Sequence, residues 1–209
     1  MSNSTQSASA VSNPLKEADF QKKLLRLNAL IPALMLGFDW LRGNLGANPP
    51  EAFIRTTGVV AIIFLILTLL VTPLSQISNW SWLVKHRRWL GLWSFYYACL
   101  HLLGYSFFDR GFNFSLIFKD INKRPFILLG FLGFLLMAPL AITSTNEMIH
   151  RLGGKRWKAL HKLAYVIPIL VAIHYWMIVK SDVFYPCVVI ASFTLLLGYR
   201  AAKKLKPNT

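Results

Sequence analysis

Three histidines, His101, His161 and His174, fall in stretches of a 209-residue chain that are otherwise almost free of charge. An imidazole can carry a proton or bind a metal near neutral pH. Within an apolar span it faces the protein interior, because exposing it to hydrocarbon is costly. Their depths are informative. His101 follows Arg88 by 13 residues and His174 follows Lys162 by 12, which at helical rise puts them roughly 20 Å and 18 Å from a charged boundary on the same side. Two imidazoles at one depth, on helices running in the same direction, can meet across a bundle. His161 follows Lys158 by three residues and sits near that boundary. On a straight helix it is rotated by about 140° from His174, unless Pro168 between them kinks the helix.

Gly91, Ser94, Ala98, His101 and Tyr105 recur at helical spacing, a stripe of mostly small residues in a segment otherwise full of Leu, Trp, Phe and Tyr. Such a stripe could seat a flat macrocycle. Two facing imidazoles above it are what a six-coordinate heme b requires, with electron transfer as the chemistry because no axial position is left for oxygen. Arg87 lies 14 residues before His101, on the same face. Arg87 and Arg88 are thus candidate propionate contacts, since guanidinium pairs with carboxylate in bidentate fashion. Two alternatives stay open on the residues alone. Membrane histidines also carry protons in proton-coupled transporters, and a small-residue stripe with hydrogen-bonded histidines can be purely structural. Many transporters show an internal repeat, and none is visible here.

The elements that must position these residues follow from composition. The chain is 55% hydrophobic and 15% charged, against roughly 25% charged in an ordinary soluble domain. Its mean hydropathy is +0.48. That excludes disorder, which needs low hydrophobicity, and two cysteines exclude a disulfide scaffold. Between Arg55 and Lys85 run 29 residues without Asp, Glu, Lys or Arg, enough to cross a bilayer. Apolar stretches predict six membrane helices over 27–41, 53–72, 89–108, 125–142, 157–179 and 183–199. The expected fold is therefore all-α, a polytopic membrane protein. A serine-rich tail over 1–22 precedes a membrane domain over 23–200, and a basic tail over 201–209 ends the chain. Thr143, Ser144, Thr145 and Asn146 can cap a short helix that Gly153-Gly154 ends in a left-handed turn. The connection 109–124 reads as an amphipathic turn at the interface.

The net charge of +15 comes from 23 basic and 8 acidic residues. With the N-terminus inside, 16 of the 23 basic residues fall on the inner side, so the positive-inside rule places both termini in the cytoplasm. The excess charge then sets orientation and meets anionic membrane lipid. It does not call for a nucleic-acid partner.

The runs Gly46-Ala-Asn-Pro-Pro-Glu51, Thr72-Pro-Leu74, Arg87-Arg-Trp-Leu-Gly-Leu92, Lys123-Arg-Pro125 and Thr143-Ser-Thr-Asn146 through Leu152-Gly-Gly-Lys-Arg-Trp157 to Leu160-His161 give a further clue. In order and spacing they resemble the MsrQ family, heme-binding membrane subunits of bacterial periplasmic methionine sulfoxide reductase systems. The resemblance covers about residues 24–200. It implies a ferric reductase-like bundle of six transmembrane helices in the bacterial inner membrane, binding heme b, one or two per chain, and linked to FMN. It implies a redox subunit without catalysis of its own. Electrons would come from a cytoplasmic flavin reductase or the quinone pool and pass to a periplasmic molybdopterin-containing partner. It also implies that His101, His161 and His174 are heme ligands. The family pattern has a histidine shortly before the Thr-Gly opening the second helix, where this chain has Arg55 ahead of Thr57-Gly58.

Overall fold

The computed structural model describes residues 14–179 and 181–205, and the described residues are helical nearly throughout. The helices are α1 (Pro14–Arg42), α2 (Pro49–Ile77), α3 (Arg87–Gly104), α4 (Phe114–Lys123), α5 (Pro125–Ile142), α6 (Asn146–Leu152), α7 (Gly154–Leu160), α8 (Ile167–Ile178) and α9 (Phe184–Leu205). One 3-10 stretch, Ser81–His86, leads into α3, and another, His161–Tyr165, joins α7 to α8. A π-helical stretch, Tyr105–Asp109, prolongs α3.

Among the described residues four segments are long and apolar enough to cross a membrane: Pro49–Ile77, Pro125–Ile142, Gly154–Ile178 and Phe184–Lys204. The chain is a membrane protein. Its outward surface agrees, with large apolar side chains such as Ile142, Ile169 and Leu195 left exposed, as expected where lipid is the solvent. The first and third of the six expected spans, in α1 and α3, do not meet that measure. For α3 the reason is its polar load: Arg87 and Arg88 open it, and Ser94, Tyr96, Tyr97 and His101 interrupt its apolar residues. It nonetheless runs antiparallel along the apolar length of α2, because its partners there move from Thr68 at Gly91 to Ala61 at Ser94 and Ile54 at His101.

Several boundaries differ from the sequence expectation, among them α2, which runs over 49–77 where 53–72 was expected. α1 begins at Pro14, so the stretch assigned to the tail is helical from there, with proline's fixed φ suited to a first turn. Residues 1–13 of that tail lie outside the described residues. α9 continues to Leu205, past the expected end at 200, since Ala201, Ala202, Lys203 and Lys204 are all good helix formers. The connection 109–124 holds a regular helix, α4, started by Asn113, whose side chain accepts from Leu116 N (3.2 Å). The short capped helix appears as expected: Thr145 Oγ1 accepts from Met148 N (3.1 Å), and Gly153 at φ 75° ends α6.

Tyr97 ties α1 to α3. In an unbroken helix Ala33 N would donate to Ala29 O. Instead Ala33 N donates to the Tyr97 hydroxyl (3.2 Å), which donates in turn to Ala29 O (2.6 Å). Pro32 beside the gap lacks an N–H and opens the helix there. The main core joins α2, α5, α8 and α9 through Leu65, Leu69, Met137, Ile167 and Phe193. It lies beside the histidine-bearing segments and fixes their helices.

Candidate cofactor site

His101 and His174, expected at one depth, are neighbours: their ring centroids lie 6.2 Å apart and the rings are nearly perpendicular, at 88°. His101 Nδ1 donates to the Ile54 carbonyl of α2 (2.8 Å), and His174 Nδ1 donates to the Phe126 carbonyl of α5 (2.6 Å). A carbonyl can only accept, so each neutral ring carries its proton on Nδ1 and keeps a lone pair on Nε2. This is the arrangement that orients an imidazole as a metal ligand.

The same local device serves both histidines. Residue i+4 of a helix lies over the carbonyl of residue i, with its Cβ tilted back toward it. At Ile54 the residue four along is Gly58, and at Phe126 it is Gly130. A Cβ on Gly58 would come within 2.9 Å of His101 Nδ1, and one on Gly130 within 2.6 Å of His174 Cε1. The two glycines thus uncover the carbonyls and make room for the rings. A glycine inside a helix costs about 1 kcal/mol relative to alanine, and at these two positions a larger residue would force the histidine ring to move.

The separation of the two rings suits an iron held between them. Two metal–imidazole bonds of about 2 Å, plus the distance from each nitrogen to its ring centre, add to about 6 Å. Most of the stripe expected to form a groove is packed against α2. Ser94 Oγ donates to Ala61 O (2.8 Å), an added Cβ on Gly91 would touch Thr68, and one on Gly104 would lie 2.8 Å from Phe53. From Ser94 to Gly104 the small-residue face of α3 is the seam against α2, which is close helix packing, while Gly91 also borders an open cleft at the basic end of the bundle.

His161 is not grouped with the other two. Thr143 Oγ1 donates to Pro139 O (2.6 Å), which leaves its oxygen to accept from His161 Nε2 (3.2 Å). The Trp157 ring stacks on His161 with centroids 3.8 Å apart, and Trp157 Nε1 donates to Thr143 O (2.9 Å). His161 therefore holds its proton on Nε2, the opposite tautomer. It lines a cleft of about 920 Å³ at the basic end of the bundle, together with Arg87, Arg88, Phe95 and Trp157. No other histidine and no cysteine lines that cleft among the described residues. The residues there do not fit a second heme held by two imidazoles.

Residues 57–172 match the family described as "Ferric reductase like transmembrane component". Curated relatives carry the name protein-methionine-sulfoxide reductase heme-binding subunit MsrQ. One from Herminiimonas arsenicoxydans is 50% identical over 155 residues, covering 74% of this chain and 71% of the relative. One from Azospira oryzae is 43% identical over 188 residues, covering 90% and 81%. One from Rhodospirillum rubrum is 43% identical over 171 residues, covering 82% of each. The chain belongs to the MsrQ family.

In this MsrQ-family chain the ferric reductase match opens beside Gly58 and closes two residues before His174. Sequence reasoning named the histidines but missed Gly58, Gly130 and the carbonyls beneath them. The available signal was the cost of a glycine inside an apolar helix, which needs a local reason. Arg55 is paired with Glu51 (2.6 Å) on the surface.

A second polar group sits at the opposite end of α3. The Tyr105 hydroxyl donates to Asp120 Oδ2 (2.7 Å), Arg110 Nε donates to the same oxygen, and Arg124 Nε lies 3.5 Å from Asp120 Oδ1. α4 thus turns its aspartate inward while leaving Phe114 and Phe118 exposed. Burial pushes the Asp120 carboxyl up, but the Tyr105 hydroxyl and the Arg110 guanidinium outweigh it and hold it below the ordinary value. A lowered carboxylate pKa stabilises the fold above the unfolded value of about 3.9, and that stabilisation disappears as pH falls through the folded value. Asp120→Asn is therefore expected to cost about 2 kcal/mol near pH 7. The deficit should shrink in acid, as read by thermal unfolding in detergent. A deficit unchanged down to pH 3 would show that the charge on Asp120 is not what holds α4.

Proposed function

We propose that this chain is the electron-transfer subunit of a methionine sulfoxide reductase system, and that His101 and His174 hold one heme b. The observation that carries this reading is the pair of facing imidazoles, each donating Nδ1–H to a helix carbonyl beneath a glycine. The names of the relatives point the same way. A heme held by these two histidines would supply one-electron transfer. The protein's part is to fix both rings in one tautomer and shield them within the bundle.

The remaining assignments follow from this reading. Residues 23–200 form the functional unit, in six membrane passes with α1 and α3 among them. The basic end faces the cytoplasm of the bacterial inner membrane. The cleft at that end is where electrons arrive, from a flavin reductase or a quinone. Its stacked Trp157 and His161 suit a planar ring, and Arg87 and Arg88 suit the phosphate of an FMN. His161, a heme ligand by family resemblance, acts here as a wall of that cleft. Electrons leave at the α4 end for a periplasmic molybdopterin-containing partner.

The test is spectroscopic. Detergent-purified protein should show a reducible b-type spectrum with one pyridine hemochrome per chain. Its ferric form should give a strongly anisotropic low-spin EPR signal, because the two ring planes are perpendicular. Protein that stays colourless after reconstitution with heme would remove the proposal and return the histidines to proton transport.

A further inference from the structure

Six basic side chains line the cleft at the basic end: Arg87, Arg88, Lys158, Lys162, Arg200 and Lys204. Among the described residues no acidic side chain lines it, and the ion pairs lie elsewhere, at Glu51 and Asp120. Arg200 is the unusual member. It stands on α9 within a segment apolar enough to span a membrane, where an arginine near a helix end ordinarily snorkels to water.

Its guanidinium is instead fixed on backbone. Nη1 donates to Leu196 O one turn back (3.1 Å), and Nη2 donates to Leu69 O of α2. The Leu69 carbonyl is available for a plain reason: the residue four along is Pro73, which has no N–H to offer it. The helix ends are further joined by Tyr199 and Lys203, both donating to Gln76 Oε1 (3.1 and 2.8 Å). A guanidinium carries five N–H donors, so two carbonyls leave donors to spare beside the cleft.

We infer that Arg200, held in place by the carbonyl that Pro73 frees, is an anchor for a phosphate-bearing amphiphile in this cleft. Lys158, Lys162 and Lys204 reach solvent, but Arg87, Arg88 and Arg200 are half-buried, and like charges gathered there favour an anion among them. The apolar wall formed by Phe95, Met137 and Trp157 suits a ligand with an apolar body. The inference rests on the cleft reading above but not on the heme. Two sources offer the same chemistry: the phosphate of FMN and the headgroup of an anionic phospholipid.

The test compares FMN with riboflavin, which differ only in the phosphate, by flavin fluorescence in nanodiscs of phosphatidylcholine. Wild type should prefer FMN by about tenfold or more, the worth of one or two charge-assisted hydrogen bonds. Arg200→Gln should lose most of that preference while riboflavin affinity stays the same. Pro73→Ala should lower it by a smaller factor, although no charge is removed, because the backbone N–H that the alanine restores would share the Leu69 carbonyl with Arg200 and weaken its hold on the guanidinium. An unaltered heme spectrum in each variant verifies the fold, so a failure here is distinct from failure of the heme reading. If wild type shows no FMN preference, native mass spectrometry from nanodiscs containing phosphatidylglycerol is decisive. Retained lipid that Arg200→Gln loses supports the anchor with lipid as its source. Phosphate preference and lipid retention that are both indifferent to Arg200→Gln would overturn it, and indifference to Pro73→Ala would overturn the role of the freed carbonyl.

Discussion

His174→Ala is expected to abolish the reducible b-type absorbance while the protein still accumulates in the membrane, and His101→Ala should do the same. Each variant removes one of two imidazoles that stand 6.2 Å apart on different helices, and a heme left with one protein ligand would lose half of its protein bonding. Insertion should survive, because neither histidine contributes to the apolar core of α2, α5, α8 and α9. The alanine does leave the Ile54 or Phe126 carbonyl one donor short. Each carbonyl keeps its helical N–H, so that loss is small beside the loss of a ligand. His161→Ala is the discriminating companion. It should retain the heme and impair reduction by the cytoplasmic donor, since His161 lines the cleft and gives its Nε2 proton to Thr143. If His161→Ala lost heme as fully as His174→Ala, the one-heme reading would fail and the ligand role implied by family resemblance would stand.

Much of this arrangement could be read from residue spacing, and the reasons it stops are physical. The depth of His101 and His174 was legible because charged boundaries and helical rise measure position along the membrane normal. Position around the helix axis was harder. The stripe through Gly91, Ser94 and His101 is indeed one face, but periodicity does not say what that face meets, and α2 covers it. His161 shows the same limit: its rotation from His174 was calculable, whereas its hydrogen bond to Thr143 depends on a 3-10 stretch that no apolar pattern encodes. The bounds of α1 and α9 ran past expectation because charged but helix-favouring residues continue a helix beyond its apolar part. Nothing in the amphipathic pattern of 109–124 marks Asp120 as inward-facing, and it turns inward because Arg110 and Tyr105 bond it there.

The glycines give the sharpest test of how the rings are positioned, because an alanine there changes no ligand and no charge. On Gly130→Ala the new methyl would sit 2.6 Å from His174 Cε1 and 2.7 Å from Nδ1, closer than non-bonded atoms come. The ring must swing away, which strains its bond to the Phe126 carbonyl and moves Nε2 off the axis shared with His101. Loss of an orienting contact of this kind typically costs 10–100-fold in metal affinity, so a drop in heme affinity of about that size is expected. Gly58→Ala should be milder, since its methyl meets His101 Nδ1 at 2.9 Å and Cε1 at 3.1 Å. There a few tenths of an ångström of ring movement suffices, with a shift in heme potential or EPR anisotropy in place of outright loss. Gly133→Ala, on the same helix as Gly130, is the control: its methyl would rest 3.6 Å from Val171 in ordinary contact, and heme content should not change. The predicted order, Gly130 far above Gly58 and Gly133 near zero, is read from heme titration and the low-spin EPR signal. Equal effects at Gly130 and Gly133 would mean that general packing of α5, and not clearance for His174, is what the heme depends on.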